Sequence, residues 1–163
     1  MKLNESVFID ASASAVWDCL SKLESNQFWD PAIKRSYCPA QSRGIGAMRV
    51  CELAWATARE TIVEWDEGRS FTYRAENVPM FKSATNCWSI EARENETLVT
   101  SSAEAILKGG FLGRLFEPLL KLVFDRVGGR SLASLKYYVE HGEPYAGKVS
   151  DLLNPPDRER DPL

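Results

Sequence analysis

Hydrophobic positions from residue 111 to 141 recur with helical spacing over a longer stretch than anywhere else in the chain. In FLGRLFEPLLKLVFDRVGGRSLASLKYYVEH, Leu112, Leu115, Phe116, Leu119, Leu120, Val123 and Val127 follow one another at steps of three and four and share one broad stripe. Arg114, Glu117, Lys121 and Asp125 take the opposite side, with Glu117 and Lys121 in the favourable i,i+4 order. Such a stripe needs a surface to cover it, and the segments before it are strand-like, so it is expected to lie on a sheet. Two features interrupt the helix. Pro118 has no N–H to donate, and Gly128 and Gly129 each weaken a helix interior by about 1 kcal/mol relative to alanine. Beyond them Leu132, Leu135 and Val139 are displaced by about a third of a turn. The pattern allows a kink, a break with Ser131 capping a second helix, or a close approach to the sheet or a ligand.

Upstream the pattern changes to alternation. Leu3, Val7 and Ile9 against Asn4 and Ser6 predict a strand over 3–9. Ser12 suits the N-cap of a helix over 13–23, whose apolar side is Val16, Trp17, Leu20 and Leu23. A short helical turn over 25–28 ends at Trp29-Asp30-Pro31, because Pro31 disfavours helical geometry at Asp30. Six more strands follow, over 33–38, 47–54, 59–65, Ser70–Glu76, Phe81–Ala92 and Thr97–Leu107. Asp66-Glu67-Gly68 marks a tight turn, and Gly109-Gly110 opens the long helix. Residues 1–142 read as one domain. Residues 143–163, with Pro144, Pro155, Pro156, Pro162 and the run DRERD, read as a charged tail in which 149–153 could make a brief helical contact.

Because strand side chains alternate between faces, each strand has one set that can face the helix. In the last two strands that set is Val99, Ser101, Ala103 and Ala105 with Ala84, Asn86, Trp88 and Ile90. Phe71, Tyr73 and Ala75 continue it, as do Val63 and Trp65, although Ile62 disturbs the alternation. Over 47–54 the more apolar set is Met48, Val50, Glu52 and Ala54, with Arg49 expected outside; Arg35 and Tyr37 are placed inward on the strand before. Many inward residues are small, so helix and sheet are expected to leave space between them. A few polar groups in an apolar cavity make up a small-molecule site.

Composition narrows the function. At 163 residues, 44% hydrophobic and 26% charged, the chain suits one soluble domain. A net charge of −3 with both signs interspersed gives no nucleic-acid footprint. No segment has the pattern of a signal peptide or an integral membrane span, so a cytoplasmic location is expected. Cys19, Cys38, Cys51 and Cys87 show no C-x-x-C pairing and are expected to be reduced. With one histidine and no cysteine cluster, neither a metal nor another cofactor is expected.

Candidate chemistry is sparse. His141 is an acid or base by residue type, but the last helical turn also suits it as a cap. A desolvated Glu52 could serve as a general base, or be a glutamate paired with an arginine. Tyr37 and Tyr73 could orient a carbonyl or hydroxyl, or simply pack. Neither glycine pair has the spacing of a phosphate loop.

The order of elements is what carries a resemblance. Ile9-Asp10-Ala11, Ala15-Val16-Trp17, Trp29 with Pro31, Gly46, Val63-Glu64-Trp65-Asp66, Trp88, Thr97 and Leu135-Lys136 resemble, over residues 3–141, the START/Bet v 1-like helix-grip superfamily (SRPBCC) and its polyketide cyclase/dehydratase-like branch. Ser12 and Ala13 stand where that family often has a proline. The resemblance implies an α+β helix-grip fold: a curved seven-stranded antiparallel sheet around a long C-terminal helix, with two short helices after strand 1. It further implies a hydrophobic tunnel for a lipid-, quinone- or polyketide-like molecule, held by a carrier or sensor or, alternatively, turned over by a cyclase or dehydratase. The family has no fixed catalytic motif to carry over. Residues expected to meet the ligand are Arg35, Tyr37, Met48, Val50, Glu52, Tyr73, Asn86, Trp88, Ser101, Ala103, Phe116, Leu119 and Val123.

Overall fold

The alternation upstream of residue 107 does produce seven strands. Lys2–Ile9 (β1), Ile33–Tyr37 (β2), Met48–Leu53 (β3), Thr57–Asp66 (β4), Ser70–Glu76 (β5), Phe81–Ala92 (β6) and Thr97–Leu107 (β7) form one antiparallel sheet in the order β1-β7-β6-β5-β4-β3-β2. The computed structural model describes residues 1–152, the side chains of residues 111–114 and Val149 excepted. The expectations for the side chains of Leu112 and Arg114, and for Leu153, Pro155, Pro156, Pro162 and the run 157–161, lie outside the described residues.

Ala13–Ser21 (α1) and Asn26–Trp29 (α2), joined by a 3-10 turn at Leu23–Ser25, carry the chain from the β1 edge of the sheet to the β2 edge. Ser12 caps α1, its hydroxyl accepting from Ala15 N–H at 3.3 Å. The apolar side of α1 joins Ile9, Ile62, Phe71, Trp88 and Val99 of the sheet in the core. Trp17 stands edge-on to Trp65 and Phe71. At the β4–β5 turn Glu67 accepts from the Trp65 and Trp17 indoles at 2.8 and 2.9 Å and pairs with Arg43. These donors hold its carboxyl at about 2.

Gly110–His141 (α3) is one helix, unbroken at Gly128-Gly129. The glycines matter because α3 crosses β1 there: a Cβ at Gly128 or Gly129 would lie 3.6 or 3.2 Å from the Glu5 carboxyl group. The second half is firmly seated. Leu132 and Leu135 are buried, Lys136 donates to Phe8 O at 2.7 Å, and Glu140 accepts from Asp10 N–H at 2.7 Å.

The first half departs from expectation. Leu115 and Leu119 are 67% and 62% exposed, and Phe116, Leu122 and Val123 are exposed with them. Leu120, Phe124 and Val127 are only partly covered, Phe124 resting on Phe81. Counting about 100° per residue from Leu120, the five exposed side chains spread from roughly 40° to 160° to one side. The apolar arc is wider than one contact with a sheet can bury.

Strand parity holds for β5, β6 and β7: Phe71, Trp88 and Val99 are buried, and Ser101 and Ala103 share their face. Two expectations are corrected. In β4 a bulge between Ile62 and Glu64 makes Val63 the extra residue, so Ile62 and Trp65 both face inward. In β3 the faces are reversed. Arg49 is 4% exposed and inward, opposite Glu60 of β4, while Met48, Val50 and Glu52 take the outer face. Arg49 pairs with Glu60 at 2.6 Å and donates to Leu23 O at 2.9 Å. Its buried charge is made tolerable by a partner on another strand.

Glu60→Leu should therefore lower stability by about 3–5 kcal/mol, because it leaves a buried guanidinium without its counter-charge, and adding Arg49→Met should restore most of the loss. Urea denaturation of both variants measures this. A Glu60→Leu protein as stable as the parent would mean that Arg49 is solvated.

Candidate functional site

Where β7 ends and the first half of α3 begins, beside the β5–β6 loop, lies an open-sided apolar cavity of about 520 Å³. Met80 of the β5–β6 loop, Leu107, Lys108 and Gly109 at the end of β7, and Phe116, Leu119 and Leu120 of α3 line it. Gly109 has φ 91°, a left-handed conformation that lets the chain turn out of β7 and into the helix. From Leu107 the inward side of β7 runs back through Ala105 to Ala103, which pairs with Asn86. Ala84 and Ala75 lie beside Ala105 on the next strands, a row of small side chains on the inner face. Ala75, Ala84 and Ala103 point inward yet are only partly buried.

Beyond the alanines the floor becomes polar. Ser101 Oγ donates to Asn86 Oδ1 at 3.1 Å, and Asn86 Nδ2 donates to the Tyr73 hydroxyl oxygen at 3.3 Å. Burial pushes the Tyr73 phenol above the ordinary tyrosine range, although its side chain keeps accessible surface. The surface it sees is interior. Arg49 stacks over its ring at 5.2 Å, which fixes the ring from the β3 side.

Further in, below α2, is a set of polar groups with structural tasks. Asp30 accepts from Ala32 N–H at 2.9 Å and from Ser131 Oγ at 3.0 Å, joining α2 to the middle of α3. Burial raises its pKa in spite of those donors. Burial and the Glu60 carboxylate push the Cys51 thiol up to about 11, so it stays protonated beside Asn26 and Ser36. Asn26 Oδ1 and Trp29 Nε1 are buried without a partner among the described residues.

The sequence-predicted residues divide cleanly. Tyr73, Asn86, Ser101 and Ala103 come together on the groove floor, and Phe116 and Leu119 form part of the cavity wall. Trp88 faces the same way but is spent against Trp29 at 5.7 Å. Val123 is exposed on the free side of α3. Arg35, Tyr37, Met48, Val50 and Glu52 are on the outer face. Arg35 lies 3.8 Å from Glu52 across the β2–β3 ladder and 5.1 Å from the Tyr37 ring, an exposed surface cluster. His141 stacks on Tyr137, and its Nδ1 lies 2.9 Å from Tyr137 O, which is a helix-end role.

Sequence reasoning missed Met80, Leu107, Lys108 and Gly109, which come from loops and strand ends that carry no periodic signal. It also missed Arg49 with Glu60, whose opposite charges on consecutive strands were the available clue. Glu5 was missed as well. It faces inward on β1 beneath Gly128-Gly129, near Asp125 and Lys121.

Family and structural comparisons fit this geometry. Residues 1–140 match the family described as "Polyketide cyclase / dehydrase and lipid transport". No curated protein matches the chain by sequence. A solution structure from Thermobifida fusca is similar at 20% identity and a TM-score of 0.71, covering 90% of this chain and 97% of that one. A crystal structure from Thermus thermophilus has 17% identity and a TM-score of 0.71, covering 85% and 97%. A START superfamily protein from Mycobacterium smegmatis has 18% identity and a TM-score of 0.58, covering 78% and 94%. At such identities the likeness is one of fold.

Burial, then the Asp125 charge, raise the Glu5 pKa above its ordinary value near 4.5, with Lys121 opposing. The fold thus holds the proton more tightly than the unfolded chain does, and stability falls as pH rises through the raised value. Glu5→Gln should raise the melting temperature at about pH 7, with a gain that vanishes below about pH 4.5. Thermal melts across that range test it; a gain independent of pH would rule out the ionisation of Glu5 as its source.

Proposed function

The chain belongs to the polyketide cyclase/dehydrase and lipid transport family, and on that premise we propose that it binds a hydrophobic small molecule in the groove between the sheet and α3, as a carrier or sensor. One observation carries the reading: an apolar cavity of about 520 Å³ stands at the start of α3, where Phe116 and Leu119 are exposed, and the inward-facing Ala75, Ala84 and Ala103 keep accessible surface. A solid core would have filled that space. The cavity around Leu107 and Phe116 is apolar, and Tyr73, Asn86 and Ser101 lie further along the same sheet face, so an apolar body with one polar end suits this side of the sheet. Glu52, the carboxylate considered for general-base chemistry, is on the outer face, and Tyr73 keeps its proton at neutral pH. Both features favour binding over turnover. Residues 1–142 would form the binding unit and 143–163 an appendage to it.

Covering about 200 Å² of ligand apolar surface at about 25 cal/mol per Å² gives about 5 kcal/mol before association entropy and polar contacts are counted. Nile red, an apolar dye that brightens out of water, should bind with an affinity on the order of micromolar. Ala103→Trp should fill the groove and weaken binding at least about tenfold, while circular dichroism and the melting temperature stay close to the parent's. Absence of Nile red binding to the parent, or unchanged binding by Ala103→Trp, would defeat the reading.

A further inference from the structure

Leu115, Phe116, Leu119, Leu122 and Val123 are between 47% and 67% exposed on one side of α3. With about 150–200 Å² on a large apolar residue, those fractions amount to roughly 500 Å², at the upper end of what a protein leaves uncovered on its own. The arc is also ordered. Leu115, Leu119, Leu122 and Arg126 follow at steps of four, three and four, which keeps them in one line down the helix for about 17 Å. A line of that kind is shaped to meet a second helix, whose side chains drop into the gaps between its own when the two cross at a shallow angle. The other helical elements among the described residues leave it uncovered.

We propose that the missing helix is the same segment of a second copy, so that the chain forms a two-fold dimer in which the first halves of α3 pack antiparallel. The line is complementary to itself under that symmetry. With the axis passing between the levels of Leu119 and Leu122, Leu119 faces the partner's Leu122, and Phe116 lies beside the partner's Val123. Arg126 comes over the partner's Leu115, where its aliphatic stem covers apolar surface and its guanidinium stays in water. Area agrees as well. Two arcs remove roughly 1,000 Å² of apolar surface, the apolar share of an interface of about 1,600 Å². A lipid bilayer is the competing occupant, and charge argues against it. Helices that lie on membranes carry a cationic polar face. Here Glu117 holds the N-terminal amine, Asp125 neutralises Lys121, and the chain has a net charge of −3. Phe116 and Leu119 belong both to the arc and to the cavity wall, so the partner's helix would also cover the open side of the cavity.

Analytical ultracentrifugation of the full chain tests this without any ligand, so its outcome is separate from that of the carrier reading. At about 100 µM the parent should sediment with twice the 18.3 kDa of one chain, with a dissociation constant on the order of micromolar. Leu119→Glu and Leu122→Lys should each weaken association at least about hundredfold, because each change falls twice at the centre of the interface. Both positions are exposed in the single chain, so the circular dichroism spectrum should remain that of the parent. Mixed in equal amounts, the two variants should associate again, since the antiparallel register sets position 119 of one against position 122 of the other with opposite charges. A misfolded variant could not give that rescue. A monomeric parent at about 100 µM, a dimer that survives both substitutions, or a mixture that stays monomeric would each overturn the proposal. A monomeric parent that co-sediments with phosphatidylcholine–phosphatidylglycerol vesicles would overturn it in favour of the bilayer.

Discussion

One helix cannot cover seven strands. Strands about 4.8 Å apart make this sheet about 29 Å wide, whereas a helix with its side chains is about 10–12 Å across. The chain meets this constraint unequally along its length. Near β1 the second half of α3 is clamped by Leu132, Leu135, Lys136 and Glu140, and the core there is completed by α1 and α2. Towards the end of β7 no second helix among the described residues helps, and the first half of α3 leaves Leu115, Phe116 and Leu119 exposed. The groove is what remains where coverage runs out. Gly128 and Gly129 mark the changeover, where α3 passes close over the Glu5 side chain.

Polar groups on the inner face do two kinds of work, and their hydrogen bonds tell them apart. Arg49 joins β3 to β4 through Glu60 and to the 3-10 turn through Leu23 O, and Asp30 joins α2 to α3 through Ser131. Each of these side chains is occupied by the link it makes. Tyr73, Asn86 and Ser101 instead link adjacent strands already held by the backbone ladder, and they keep protons in reserve. Groups of the first kind support the fold.

The exposed arc of α3 follows from the same shortage of coverage. Leu119 and Phe116 face the cavity from one side and solvent from the other, so a ligand entering at Met80 would cover apolar surface that the fold leaves wet. The exposed face of the first half of α3 and the open mouth are thus one feature seen from two sides.

Local pattern by itself determined the elements: seven alternating segments, the cap at Ser12, the stop at Pro31 and a helix from about 110 to 141 all follow from side-chain periodicity and backbone sterics within a few residues. It also determined the inward faces of β5, β6 and β7, where small and apolar residues alternate cleanly with polar ones, and so placed Tyr73, Asn86, Ser101 and Ala103 on the inner face. It did not determine β3 or β4. Arg49 is inward only because Glu60 stands opposite it, and Val63 is displaced only because the ladder with β5 takes a bulge. Such pairings join residues brought together by topology, and a single strand's alternation carries no record of them. The same holds for the helix stripe, which states what is apolar and not how much of it a partner can reach. Which of those leucines are buried, and where the groove opens, was decided by the tertiary structure, because burial depends on the width and curvature of the surface a helix meets.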